Sequence, residues 1–364
     1  MRIAIVGPTH PYKGGIAQET TELAHRLTTE GHEVVILSWK TQYPFFYPGQ
    51  QFVAYDKPEL PLHMGSRRVL SWKNPFGWAR QIRPYRNYDH IILVWWVPLI
   101  QGPVYLTMLR ALGRKHHARV SLLCHNVASH EARGSDTLAL KLTTSVMKQV
   151  DQVLVHTSDQ ATRAASITST PVVVADLPPV IIGDAKPVIR NSFLTHKLLF
   201  FGIVRKYKGL DILLRAVAQV PNIKLIVAGE FWQLEQYVKL LDELKIKDRV
   251  ELRIGYVAAE DIPALFGEVD ASVLPYRGGT ASFHVSIAHS FGVPVIATTA
   301  SSFKTQIQSG IDGLLCAPDD VEALAKAIKH FYEPGVAAQL RKGVSPDAAD
   351  DTWQKYIEKL LGSV

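Results

Sequence analysis

Strand-length apolar runs alternate with helix-length segments along the whole chain, and the alternation is gone through twice. Strands that alternate with helices of this length belong in parallel sheets covered by helices, because a parallel pair needs a long crossover connection. In the first half, strands are predicted at Arg2–Val6, Glu33–Ser38, His90–Trp96, Arg119–Cys124 and Gln152–His156. Helices are expected near Ile16–Thr29, Pro75–Arg83, Val104–Gly113, Leu138–Gln149 and Gln160–Ala165. The passage from Leu177 to Pro187 holds three prolines without periodicity and reads as a linker. Beyond it, strands are predicted at Lys197–Phe201, Lys224–Ala228, Val250–Ile254, Ala271–Leu274, Pro294–Ala297 and Gly313–Leu315, each followed by a helix. A final segment, Thr352–Leu361, has one apolar face and is expected to pack back across the domain junction.

The expected architecture is therefore α/β, with two facing Rossmann-like domains and a deep cleft between them. The domains are 1–180 and 190–349, with a closing helix over 350–364. A chain of 364 residues with 47% hydrophobic and 20% charged residues can bury two such cores. Two cysteines, Cys124 and Cys316, exclude a disulfide scaffold, and both are expected to be buried thiols. The histidines show no metal-ligand spacing, so no metal site is expected. Ile91–Leu112 approaches membrane-spanning length, but Pro98, Gly102 and Pro103 interrupt it; a strand, a turn and a helix are predicted instead. The apolar start at Met1 is too short for a signal peptide, which points to a cytoplasmic protein.

The whole +7 charge excess falls in residues 1–183, with 19 Lys and Arg against 12 Asp and Glu. Arg67, Arg68, Lys73, Arg80, Arg83 and Arg86 alternate with Trp72, Phe76, Trp78 and Tyr85. The mixture suits an anionic membrane surface, or equally a solvated helix face over core aromatics. No nucleic-acid motif accompanies it.

Several loops carry candidate chemistry. Gly202 breaks a strand into a cationic loop with Arg205 and Lys208, where N–H groups and two cations converge as a phosphate needs. Gly14 and Gly15 follow the first strand and allow close backbone approach to a ligand, although the spacing is not that of a nicotinamide dinucleotide loop. His125 and Asn126 end a strand, where ligands gather in open α/β sheets. Glu230 ends another, and either faces the ligand or caps a helix. Around Tyr276, a Thr280 or Ser282 cap would leave N–H groups free at Ser282, Phe283 and His284.

The Gly202-to-Gly209 loop resembles the diphosphate-gripping Gly-Arg-x-x-x-x-Lys-Gly loop of retaining glycosyltransferases of family 4, with Ile203 in place of the usual Arg. The Lys-Gly-Gly-Ile element at Lys13–Ile16, the Gly-Glu-Phe-Trp element at Gly229–Trp232 and Pro275-Tyr276 resemble the same family. The resemblance implies the two-domain GT-B fold and transfer from a nucleotide-diphosphate sugar to a glycan or lipid-linked acceptor, without metal or cofactor. It implies catalytic roles for His125, Arg205 and Lys208. Donor contacts would come from Gly14, Gly15, Gly202, Glu230, Tyr276, Thr280, Ser282, Phe283 and His284, and acceptor-side groups from Asn126, His130 and Glu131. Most members carry two Glu eight positions apart, where this chain has Gly279 and Ile287. That departure keeps open a silent sugar-nucleotide or glycan-binding protein, and the fold keeps open a sugar-nucleotide epimerase.

Overall fold

The computed structural model describes residues 1–12, 14–43, 61–113, 117–127, 136–178, 194–279, 282–300, 302–345 and 349–362. The chain divides into two compact units, residues 1–180 with 351–364, and residues 181–350. Both are parallel sheets flanked by helices, and together they make a GT-B fold of two Rossmann-like domains.

The first unit holds β1 (Arg2–Val6), β2 (Glu33–Thr41), β3 (Ser66–Ser71), β4 (His90–Trp95), β5 (Arg119–Cys124), β6 (Gln152–Val155) and β7 (Val172–Val174) in the order β3-β2-β1-β4-β5-β6-β7. Its helices are α1 (Gly15–Thr29), α2 (Pro75–Ile82), α3 (Pro98–Leu112), α4 (Asp136–Met147) and α5 (Ser158–Ala165). β3 and β7 were not expected from the sequence. Each lies at a sheet edge: β3 begins with Ser66 and two arginines, and β7 is a run of only three half-buried valines.

The expected start of α3 at Val104 is corrected: the helix begins at Pro98, in the first-turn position where a missing N–H costs nothing. Pro103 lies inside the helix on its exposed side. A Cβ on Gly102 would come within 2.9 Å of Leu142, so the glycine lets α3 and α4 pack closely.

The second unit holds β8 (Lys197–Phe201), β9 (Lys224–Gly229), β10 (Val250–Ile254), β11 (Ala271–Leu274), β12 (Val295–Thr298) and β13 (Gly313–Cys316), ordered β10-β9-β8-β11-β12-β13. Its helices are α6 (Leu210–Ala218), α7 (Leu234–Leu244), α8 (Ile262–Gly267), α9 (His284–Ser290), α10 (Phe303–Gln306), α11 (Val321–Phe331) and α12 (Val336–Gly343). Its sheet is covered on both faces by apolar clusters, one centred on α6 and α11, the other on Phe266, Phe291 and Phe303.

Helix α13 (Ala349–Leu361) is anchored to the first unit by polar contacts as well as by Trp353 and Tyr356. Gln152 Nε2 donates to the Lys359 carbonyl at 2.8 Å, Arg119 Nη1 to the Leu361 carbonyl at 3.0 Å, and the Tyr356 hydroxyl to Glu19 at 2.6 Å. The linker expected at 177–187 lies outside the described residues from 179 onward. Cys124 is fully buried, whereas Cys316 is only partly so, because it ends the edge strand β13.

Candidate functional site

In each sheet the strand order reverses beside the first strand, between β1 and β4 and between β8 and β11. The crevice at the carboxyl ends of two strands that diverge in this way is where an open α/β sheet binds its ligand. Gly202 follows β8 and Tyr276 follows β11, so the Arg205 and Lys208 loop occupies this position in the second unit.

Between Gly202 and α6 runs the cationic loop that the sequence predicts. The chain first bridges Val204 to Phe231, makes a single 3-10 turn over Lys206–Lys208, and then enters α6 through Gly209. Two glycines make this path possible. Gly209 is left-handed (φ 70°), and a Cβ there would lie 2.0 Å from the Pro275 carbonyl oxygen; Gly202 (φ 100°) would put one 2.6 Å from His284 Nε2. Arg277 fastens the loop from outside. Its guanidinium binds Asp211 through two bonds of 2.8 and 2.7 Å, donates to the Lys206 carbonyl at 2.9 Å, and meets Asp319 at 2.9 Å.

The side chain of Lys208 is buried, 6% exposed, with Nζ 5.5 Å from the centre of the Tyr276 ring. No carboxylate pairs with it among the described residues. Burial, and secondarily the nearby Arg205 cation, lower its pKa to about 7. Arg205 stacks on Trp232 at 4.0 Å, a contact that holds the guanidinium in place without neutralising it. These two cations, which no carboxylate pairs with among the described residues, suit an incoming ligand of at least two negative charges.

Glu230 is half-buried at the end of β9, and its carbonyl accepts from Val204 N–H at 2.7 Å. Tyr276 is buried, with its hydroxyl turned toward Ser282. The expectation of free N–H groups at Ser282, Phe283 and His284 is corrected at His284. Helix α9 begins at His284 with Phe283 as an uncapped first residue, and the Ser282 hydroxyl turns back onto His284, 2.8 Å from Nδ1 and 3.4 Å from its N–H. The His284 pKa lies well below the ordinary value because of burial and the neighbouring Lys208, opposed by a bond to the Phe201 carbonyl. Where the paired carboxylates would stand, Gly279 sits at φ 135° and Ile287 packs into the Phe266, Phe291 and Phe303 core. Thr280 lies outside the described residues, as do His130 and Glu131.

In the first unit, Gly14 (φ 104°) precedes α1 and Gly15 opens it, so the amino end of α1 follows β1 at the switch point. Asn126 is half-buried, with Nδ2 3.5 Å from the Trp96 carbonyl. His125 is buried, and its Nε2 lies 3.3 Å from Glu19 Oε2. Its ring is 5.0 Å from that of His156. Burial, then the adjacent His156, push the His125 pKa well below its ordinary value. Burial lowers His156 to about 4, and raises Glu19 to about 8 against the opposing bond from Tyr356. All three groups are therefore neutral near pH 7.

Glu19, His125 and His156 form a cluster whose donor atoms lie within 4.8 Å of one another, a grouping that no ligand spacing in the sequence signals. Its members are far apart in sequence, on α1 and just after β5 and β6. Glu19 could have drawn notice earlier, since it stands one turn before Leu23 on the buried stripe of α1.

A profile described as glycosyl transferases group 1 matches residues 195–333, and one described as Glycosyltransferase Family 4 matches residues 13–175. The D-inositol 3-phosphate glycosyltransferase of Mycobacterium marinum is 26% identical over 236 residues, covering 60% of this chain and 50% of the relative. The match thus spans about half the length of that curated relative. Among solved structures, sucrose-phosphate synthase from Thermosynechococcus elongatus superposes with a TM-score of 0.75 at 17% identity, covering 99% of this chain and 95% of its own. The Anabaena protein HepE, solved in complex with UDP, superposes at 0.67 with 16% identity over 100% of both chains; it has also been solved with UDP-glucose.

Proposed function

The chain belongs to the family 4, group 1 glycosyltransferases, and from that premise we propose that it transfers a sugar, with retention, from a nucleotide-diphosphate sugar to a glycan or lipid-linked acceptor of the cell envelope or surface polysaccharide. The observation that carries the reading is Lys208, an amine buried without a counter-ion beside Arg205 at the switch point of the second unit. The burial of an unpaired lysine opposes folding, and a diphosphate removes the penalty by restoring the proton and pairing the charge. UDP and UDP-glucose bound to HepE support a nucleotide-diphosphate sugar as the donor class.

In the proposed reaction the bond from the anomeric carbon to the diphosphate breaks, and the acceptor oxygen bonds that carbon on the same face. The acceptor proton passes to a phosphate oxygen. Arg205 and Lys208 neutralise the charge that grows on the departing diphosphate, so neither a divalent cation nor a cofactor is needed at that step. Each such preorganised donor contributes about 3 kcal/mol to the transition state. Glu230, Tyr276, Ser282, Phe283 and Thr280 are proposed to contact the donor, with Gly14 and Gly15 at the amino end of α1. His125, Asn126, His130 and Glu131 are proposed for the sugar and acceptor.

The acceptor reading draws on the basic segment of the first unit. Trp78 and Tyr85 are buried there, but Phe76 is 89% and Met64 fully exposed, close in sequence to Arg67, Arg68, Lys73 and Arg80. Exposed apolar side chains among cations suit peripheral attachment to an anionic leaflet on the cytoplasmic side. No helix among the described residues is long and apolar enough to cross a membrane.

The test is a thermal-shift screen of UDP-, GDP- and ADP-sugars, followed by transfer assays on Arg205→Ala and Lys208→Ala. Each variant is expected to lose about 100-fold in rate. Near wild-type rates in both would refute the diphosphate assignment. The missing carboxylates at Gly279 and Ile287 favour a second reading, a sugar-nucleotide binder that does not transfer. Tight donor binding without nucleotide release in the presence of any acceptor would establish it.

A further inference from the structure

In the first unit, Glu19 Oε2, His125 Nε2 and His156 Nε2 are all buried and none has a hydrogen-bond partner. Three orphaned polar atoms in one buried cluster are costly to a folded chain, since each has given up water without a replacement. We propose that these three side chains bind a single divalent transition-metal ion of the zinc type, distinct from the diphosphate site.

The surrounding contacts have the form such a centre needs. His156 Nδ1 lies 3.2 Å from the Ala175 carbonyl, so its N–H points there and the Nε2 lone pair is directed into the cluster. Tyr356 donates to Glu19 Oε1 at 2.6 Å, which leaves Oε2 as the free oxygen and turns it toward His125. Gln160 ties the two histidine-bearing strand ends together: its Oε1 accepts from His156 N–H at 3.1 Å, and its Nε2 donates to the His125 carbonyl at 2.7 Å.

The spacing is also apt. Ligand bonds of about 2.0–2.2 Å around a tetrahedral ion set its donor atoms roughly 3.3–3.5 Å apart. Glu19 Oε2 and His125 Nε2 stand at 3.3 Å, and His156, whose ligand atom lies within 4.8 Å of theirs, would close onto the ion by a small movement. Two imidazoles and one carboxylate are a recurrent zinc set, with a fourth position left for water. The ion would join α1, β5, β6 and, through Tyr356, α13. It would thereby fix His125 and stabilise the first unit by mass action.

The experiment uses the tag-free full chain, stripped with chelator and titrated with Zn(II) by calorimetry and with Co(II) by absorption. One ion per chain is expected, with the visible bands of four-coordinate Co(II). Glu19→Gln and His156→Ala should each weaken Zn(II) binding more than about 100-fold, beyond the 10–100-fold that loss of an outer partner costs. Tyr356→Phe keeps all three ligands and should fall within that smaller range, so it serves if circular dichroism shows either ligand variant misfolded. No uptake of Zn(II) at micromolar concentration by the wild type overturns the proposal. Uptake undiminished in all three variants does so too, because the ion would then sit elsewhere.

Discussion

Replacing Lys208 with methionine should make the second unit more stable while abolishing donor binding. The native amine loses its proton near pH 7, whereas an unfolded lysine holds it until about 10.5. Between those values the unfolded state binds more protons, so the stability of the wild type rises with pH. The penalty is fully present below about pH 7 and relieved as pH climbs toward 10.5. With the folded value at about 7, it amounts to at most ~4 kcal/mol at pH 7 and ~2 kcal/mol at pH 9. Methionine has nearly the length of lysine and no charge, so it escapes the penalty while filling most of the same volume. It forfeits the contact of Nζ with the Tyr276 ring, which trims the gain. The readout is hydrogen exchange of the β8 and α6 amides at pH 7 and pH 9, since these elements flank the site and report the stability of their own unit. Calorimetry with UDP measures the binding arm. Equal or lower stability of Lys208→Met at pH 7, a gain that does not shrink by pH 9, or UDP affinity close to wild type would each refute the reasoning.

UDP affinity should fall as pH rises above 7, by up to about tenfold per unit, because the bound diphosphate must recharge Lys208; calorimetry in buffers of differing ionisation enthalpy should register uptake of close to one proton at pH 8, and a flat profile would contradict it. Sugar transfer should proceed at an unchanged rate without added Mg²⁺ or Mn²⁺, because Arg205 and Lys208 replace the cation; a rate that returns only when Mn²⁺ is supplied would refute this. Vesicles of rising anionic-lipid content should retain the protein at low salt and release it at high salt, with each of Arg67, Arg68 and Arg80 contributing on the order of 1 kcal/mol. The triple charge reversal Arg67→Glu, Arg68→Glu and Arg80→Glu should abolish co-sedimentation, and indifference to it would favour a soluble acceptor.

The sheets were legible because burial on both faces leaves a signal that needs no partner to be seen. β1, β5, β8 and β11 fall on their predicted residues, and so does the edge strand β10, through the alternation of Val250, Leu252 and Ile254 with Glu251 and Arg253. The edge strands β3 and β7 were missed, β3 because two arginines stand near its start and β7 because Val172–Val174 is too short a run to stand out. In α3 the prolines were misleading, since Pro98 is harmless in the first turn and Pro103 sits on the exposed side of the helix. At the diphosphate loop, sequence located Arg205 and Lys208 through a glycine-broken strand, which is local information. Their electrostatic state was not local. Whether Lys208 is an ordinary surface cation or an amine held near neutrality depends on Tyr276 and His284, which arrive from another strand and the helix after it.

The same distinction separates the two units. In the second unit the family's carboxylates are missing, and Ile287 shows why they cannot simply have shifted along α9: its side chain is part of a continuous apolar core with Val285, Ala288 and Phe291. A glutamate there would be buried among hydrocarbon without a partner, which is costly. The first unit made the opposite choice, placing Glu19 at zero exposure beside two imidazoles, with Tyr356 from the end of the chain to hold one oxygen. His125 therefore cannot be treated as a lone histidine at a strand end. Its protonation and orientation are set together with Glu19 and His156, so a change at Tyr356, far away in sequence, should be felt at the strand end where the family resemblance places the sugar.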